Sequence, residues 1–267
     1  MGLSKKQMEF LDKFAKGRWT FKEETGLVDI EGDFDCSRNR IERNYYGGVK
    51  AVSDFKGVKF GVVTGNFYCY HNTIKSLKGA PQKVGGNFYC EYNKLTSLEG
   101  APRIIGGNFI CYHNKLTSLE GAPQEIGGDF HCICNNLTNL VGSPQRVLGT
   151  FSCSNNNLTS LVGAPQEVGN FSCSNNSLTN LVGSPQKVNG YFCCEYNKLT
   201  SLEGAPLDWK GNYSTVHRNP ISEETINLVW TTMRKNKIDY RTALISLKGE
   251  IPARDWKKMT SALEEAI

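Results

Sequence analysis

Glu91, His113, His131 and Cys134 are side chains whose types and spacing suggest chemistry. His113 and Cys134 stand 21 residues apart, and a period of 21 would set them side by side, with His131 close by and Glu91 on the far side. A thiol beside an imidazole is how a nucleophilic cysteine is made, because the base draws off the thiol proton. The same donors with a carboxylate are also zinc ligands. Both readings need more than the sequence offers. It has no Cys-x-x-Cys pair, no recognisable oxyanion hole and nothing that implies an enclosed pocket. No catalytic residue, metal or cofactor is expected.

These residues become neighbours only through a repeat. "NFYCYHNTIKSL" (66–77) returns as "NFYCEYNKLTSL" (87–98), "NFICYHNKLTSL" (108–119), "TFSCSNNNLTSL" (150–161) and "NFSCSNNSLTNL" (170–181). From Phe67 onward the step is 21 residues, with one step of 20 between Phe151 and Phe171. Eight of the ten cysteines, from Cys36 to Cys194, sit two residues after a phenylalanine. Such a register is no disulfide map, since in-register neighbours point their sulfurs the same way. Phe and Cys alternate as inward residues of a short strand do, and a free thiol packs well in a core. An asparagine follows three residues past each of these cysteines, from Asn39 to Asn197, placed to hydrogen-bond the backbone where the chain turns. Ile41, Ile74 and then Leu95 to Leu199 come two residues later, and return segments such as "KGAPQKVGG" (78–86) have Gly and Pro but no helical period.

The held letters read F-x-C-x-x-N-x-L-x-x-L-x-G-x-P. This pattern resembles the leucine-rich repeat, with Phe and Cys in two of its Leu slots, over roughly residues 28–219. The resemblance implies an α+β solenoid with a short-stranded parallel sheet on its concave face and a non-helical convex side. The first Leu of the family pattern is replaced by a Gly of the Gly-Gly pair, with Val84 or Ile126 one residue earlier, so a bulge is expected before each strand. The flavour "GGNFYC…NKLTSLEGAP" is also similar to repeat proteins encoded by tailed bacteriophages.

One coil cannot bury its own apolar face, so a solenoid needs covered ends. Residues 1–33 read as an N-terminal helix and hairpin cap, with Ser4 and Gln7 in a capping box and "RWTF" and "GLVDI" flanking a turn. Residues 34–219 hold about eight coils. Residues 220–267 read as a helical cap, with one stripe of Ile226, Val229, Trp230 and Met233 and another of Trp256, Met259, Leu263 and Ile267. Phe34 to Phe67 spans 33 residues, so a segment near 42–56 is inserted. Its Arg43, Tyr45, Tyr46 and Lys50 suit either a contact loop or a second hairpin over the first coil.

The positions around Phe and Cys drift along the chain. Between them stand Tyr68, Tyr89, Ile110 and His131; after Cys come Tyr70, Glu91, Tyr112 and Ile133; next come His71, Tyr92, His113 and Cys134. In the coils at 151 and 171 these positions become Ser and Asn. The first half of the concave face is therefore an aromatic patch of the kind that forms binding hot spots. The competing reading is that Tyr columns merely shield the sheet and favour strands. Charge argues against nucleic acid: 31 basic residues face 26 acidic ones, interspersed, for a net charge of +5. The opening stretch has no long apolar run and no 18-residue apolar segment follows, so neither a signal peptide nor a membrane span is expected. The expectation is a non-enzymatic, cytoplasmic protein-binding solenoid, with self-association open. The phage resemblance implies a host or defence protein as partner, bound in the host cytoplasm; a virion component and a His/Cys hydrolase are the alternatives.

If the repeat register is right, thiol titration of native protein finds few reactive groups, and about ten after denaturation without reductant. Disulfides in protein purified under alkylating conditions would contradict the register.

Overall fold

The computed structural model describes residues 2–38, 50–209 and 214–264. The chain begins with α1 (Lys5–Phe14) and an antiparallel hairpin of β1 (Arg18–Lys22) and β2 (Leu27–Glu31). Ser4 caps α1 through the expected box with Gln7. Short strands then join two parallel ladders, two strands to a turn. One ladder runs through β3 (Phe34–Asp35), β5 (Phe67–Tyr68), β7 (Phe88–Tyr89), β9 (Phe109–Ile110) and β11 (Phe130–His131). The other runs from the hairpin through β4 (Phe60–Val63), β6 (Lys83–Val84), β8 (Ile104–Ile105) and β10 (Glu125–Ile126). The strands β12 (Arg146–Ser152) and β13 (Glu167–Ser172) pass through both positions, and four two-residue strands, β14 (Lys187–Val188) to β17 (Ser214–Thr215), continue the stack. The protein is a parallel-sheet solenoid, with six regular turns between Phe67 and Phe192.

The core is a set of columns. Phenylalanine rings stack from Phe34 to Phe192, with centroid separations of 5.0 Å (Phe34–Phe67) to 5.8 Å (Phe151–Phe171). The eight repeat cysteines are buried beside them and all ten cysteines are free. Each repeat asparagine ties turns together. Asn114 accepts from the Leu95 amide of the preceding turn at 3.0 Å and donates to the Cys90 and Cys111 carbonyls at 3.0 and 3.1 Å. The column runs one rung past the expected last member: Asn219 accepts from Leu199 and stands three residues after buried Val216, which fills the Cys slot.

The Gly-Gly pair does more than precede a bulge. It joins the two strands of a turn, and the valines and isoleucines before it (Val84, Ile105) are buried. A Cβ on Gly107 would lie 2.4 Å from Asn87 Oδ1, so the pair lets adjacent turns close up. A second ladder uses that approach: the Asn87 amide donates to Asn66 Oδ1 and the Asn108 amide to Asn87 Oδ1. Register shifts fall between Val28 and Ile30, and between Val147 and Thr150, where the 20-residue step deletes one residue and β13 runs on without a break.

Phe10 and Phe14 of α1 lie 5.7 and 6.2 Å from Phe34. At the far end come α2 (Glu223–Asn236), α3 (Tyr240–Ser246) and α4 (Ala253–Glu264). The Trp230 ring stands edge-on to Phe192 at 5.1 Å, and its Nε1 donates to the Pro206 carbonyl. Buried Asp255 accepts from the Ser222 amide and the Thr225 hydroxyl, pinning α4 to the start of α2. Ile226, Val229, Met233 and Met259 are buried and Trp256 is half-buried, while Ile267 lies outside the described residues. Of the inserted segment, Arg43, Tyr45 and Tyr46 lie outside them too, as do Asn39 and Ile41. Lys50 is exposed, but Val52 and Phe55 are core residues. The Val52 amide donates to Asn72 as the Leu95 amide does to Asn114, so Val52 holds that rung. Among the described residues, no helix is long and apolar enough to cross a membrane.

Phe109→Ala and Leu119→Ala are each expected to cost about 2–5 kcal/mol, because each leaves a hole between two turns. Asn114→Ala is expected to destabilise by about 1–3 kcal/mol through unpaired backbone groups. Denaturant titrations unchanged by all three would refute the column assignment.

Candidate functional site

The ladder through Phe67, Phe88 and Phe109 turns alternate residues to the open face of the eleven-stranded sheet. Tyr68 pairs with Tyr89, Tyr89 with Ile110, Ile110 with His131, and His131 with Ser152. The Tyr68 and Tyr89 rings stack at 5.2 Å, with 10° between planes. Tyr70 meets Tyr68 edge-on at 6.3 Å. In the next column His71, Tyr92 and His113 form a continuous stack, with separations of 4.3 and 4.5 Å, and Tyr112 closes on Tyr92 from the side at 5.4 Å. The sequence-predicted aromatic columns are thus brought together.

From His71 to Tyr196 the residues of this column have a left-handed backbone: φ is 53° at His71, 52° at Tyr92, 50° at His113, 54° at Cys134, 55° at Asn155, 56° at Asn175 and 52° at Tyr196. Glycine and asparagine adopt this conformation readily; other residues carry a cost on the order of 1 kcal/mol. Asn155 and Asn175 fit the slot, while His71, Tyr92 and His113 occupy it at a cost that ring stacking offsets. The left-handed column was missed in the sequence, although Asn recurring in two of the turns was a signal for it.

Two of the expected surface residues are not on the surface. Glu91 is only 7% exposed and so is Ile110. The strand alternation aims both outward, and the bulk of the neighbouring side chains then covers them. Glu91 follows Cys90 as Tyr70 follows Cys69 and Tyr112 follows Cys111, so it sits in the middle of the tyrosines. Its Oε2 has no hydrogen-bond partner, and burial pushes its carboxyl up to about 7. Burial is the main cause, and the Glu91 charge a second one, of a raised Tyr112 hydroxyl pKa. His131 is half-buried with Nε2 unbonded; burial lowers its pKa, against a smaller opposing effect of Asp129, whose carboxylate lies 3.9 Å away. Ile133 is half-buried.

His113 and Cys134 occupy successive rungs of the left-handed column, as the period requires. Burial raises the Cys134 thiol pKa, so it is a thiol at neutral pH, which is the reverse of what a nucleophile needs. Among the described residues no three His, Cys, Asp or Glu side chains are grouped to hold a metal ion. On the serine half, Ser152, Ser154 and Ser174 are buried rather than exposed, and Ser154 and Ser172 share a hydroxyl bond at 2.8 Å. A groove of about 870 Å³ elsewhere on the molecule is lined by Phe60, Pro81, Lys59, Lys78 and Arg103. Sequence reasoning did not find it, because return segments of three turns build it jointly. No protein-family model matches the chain, and no curated protein or solved structure is detectably similar to it.

Glu91 carries a stability prediction with a definite sign. Its folded pKa, about 7, lies above the usual 4.5. Below pH 4.5 the carboxyl is protonated folded or unfolded and contributes no difference. From there to about pH 7 only the unfolded chain ionises, so stability falls as pH rises, by roughly 3 kcal/mol in all. Glu91→Gln is expected to remove that slope, gaining stability at pH 8 and little at pH 4.5. A gain independent of pH in urea titrations would refute the assignment.

Proposed function

We propose that this chain is a non-enzymatic protein-binding solenoid whose aromatic half is the contact surface. The observation that carries this reading is the contrast between its two halves. Turns at Phe151 and Phe171 fold with Ser and Asn at the open positions, so the columns do not need aromatic rings to form. Yet His71, Tyr92 and His113 fill left-handed positions where asparagine fits with less strain. Tyr92 is 40% exposed although stacked between two imidazoles, which leaves a rigid aromatic surface open to a partner. Tyrosines held in such clusters supply contact area with little ordering cost.

In this reading the turns are variant leucine-rich repeats with Phe and Cys in two Leu slots, the open face is the concave one, and the terminal helices cap the stack. The contacts of Phe10 and Phe14 with Phe34, and of Trp230 with Phe192, support capping. The resemblance to phage-encoded repeat proteins supports a host or defence protein as the partner, which the chain would occupy and inhibit in the host cytoplasm. The protonated Cys134 weighs against the hydrolase alternative.

A tagged pull-down from bacterial lysate, repeated from phage-infected cells, supplies the partner: one host protein favours inhibition, capsid or tail proteins the virion alternative. Tyr89→Ala and Tyr112→Ala are each expected to weaken that partner by about 2 kcal/mol or more, with melting nearly unchanged. Ser172→Ala, at the position equivalent to Tyr89, is expected to change little. Equal affinities across the three variants in titration calorimetry would move the site off this face.

A further inference from the structure

The proposed contact surface is built around a carboxyl group with one oxygen that the fold leaves unpaired. Glu91 is more than nine-tenths buried, Oε2 has no hydrogen-bond partner, and Tyr70 and Tyr112 hold the same position one turn to either side. A buried carboxyl with an oxygen left unbonded costs more than a buried methyl or hydroxyl would. Serine at this position in later turns, Ser154 and Ser174, shows that the stack accepts a small neutral residue here. The fold therefore gives no reason for a glutamate.

The surroundings say what would satisfy it. Asp33 and Asp35 lie close enough to Tyr68 to raise its hydroxyl pKa, alongside burial, and Asp129 faces His131. The patch thus combines tyrosine rings with carboxylates. We infer that Glu91 and the tyrosines around it form a recognition site for an arginine side chain of the protein partner. The guanidinium stacks on tyrosine faces and donates to both carboxylate oxygens at once, a geometry an ammonium does not match. The site is closed in the free protein by aromatic side chains, and half-exposed rings change rotamer far faster than proteins associate. Entry of the cation holds Glu91 ionised, in place of the partly protonated form that burial imposes. This inference rests on the reading of the aromatic half as a contact surface and adds to it the chemistry of what is bound.

The probe is N-acetylarginine methylamide, compared with its neutral isostere N-acetylcitrulline methylamide at pH 8. Binding is read from ring resonances of 13C-labelled tyrosine, assigned through Tyr89 and Tyr112 variants. The arginine compound is expected to bind at least about tenfold more tightly than the citrulline compound. The preference is expected to vanish in Glu91→Gln and to persist in Ser172→Ala. Equal binding of the two compounds to wild type overturns the inference without any variant, and so does a preference that survives Glu91→Gln. The partner recovered by wild type separates this from the wider reading. If Tyr89→Ala loses it and Glu91→Gln keeps it, the arginine site is wrong and the contact surface stands. If neither variant loses it, the contact surface falls and the arginine site with it.

Discussion

A single side-chain amide in each turn holds successive turns at one spacing. Asn93, Asn114, Asn135 and their equivalents accept from an amide of the turn before and donate to two cysteine carbonyls, one in that turn and one in their own. The bonds are buried, so each is costly to leave unmade, and replacing any one exposes backbone groups in two turns. Parallel strands at about 4.8 Å then follow. Rings that repeat at that spacing stack, which is why one ladder produces both the buried phenylalanine column and the open tyrosine and histidine columns. The Asn66–Asn87–Asn108 ladder repeats the same logic beside the Gly-Gly pairs.

Because spacing is fixed by the asparagines, the open positions are free to vary without altering the frame. The drift from Tyr and His to Ser and Asn is therefore a change of surface on a constant scaffold. The left-handed column shows the direction of the trade. Asn155 and Asn175 sit where local geometry favours them, while His71, Tyr92 and His113 hold the same backbone against its preference. The same backbone at Cys134 and Tyr196 shows that the turn imposes this conformation whatever residue fills it.

Much of the scaffold was legible in the sequence, because packing at a fixed spacing demands the same residue at every turn. Phe109, Cys111, Asn114, Leu116 and Leu119 are all buried where the period placed them. What was not legible depends on neighbours rather than on period. Glu91 occupies an outward position by alternation, and only the bulk of surrounding side chains buries it. The Gly-Gly pair looked like a bulge because the two-residue strand before it, Lys83–Val84, is too short to show an alternation of its own. That Val52 holds the rung below Asn72 was hidden because the inserted segment takes it out of the repeat register. Asp255 links two helices through Ser222 and Thr225, contacts that no helical stripe encodes.

Among the described residues, the open face carries three buried polar atoms without partners: Glu91 Oε2, His131 Nε2 and Ser174 Oγ. They do not cost the fold equally. A serine hydroxyl can turn and a half-buried imidazole stays neutral, so each forgoes one neutral hydrogen bond, on the order of 1 kcal/mol. A carboxyl must either stay protonated well above its usual pKa or hold a charge against low dielectric, and its pKa near 7 shows it balanced between the two. A group in that position weakens the isolated chain above neutral pH, where it must carry its charge in the folded state. The tyrosine columns surround that group, and the asparagine ladder sets the spacing of those columns.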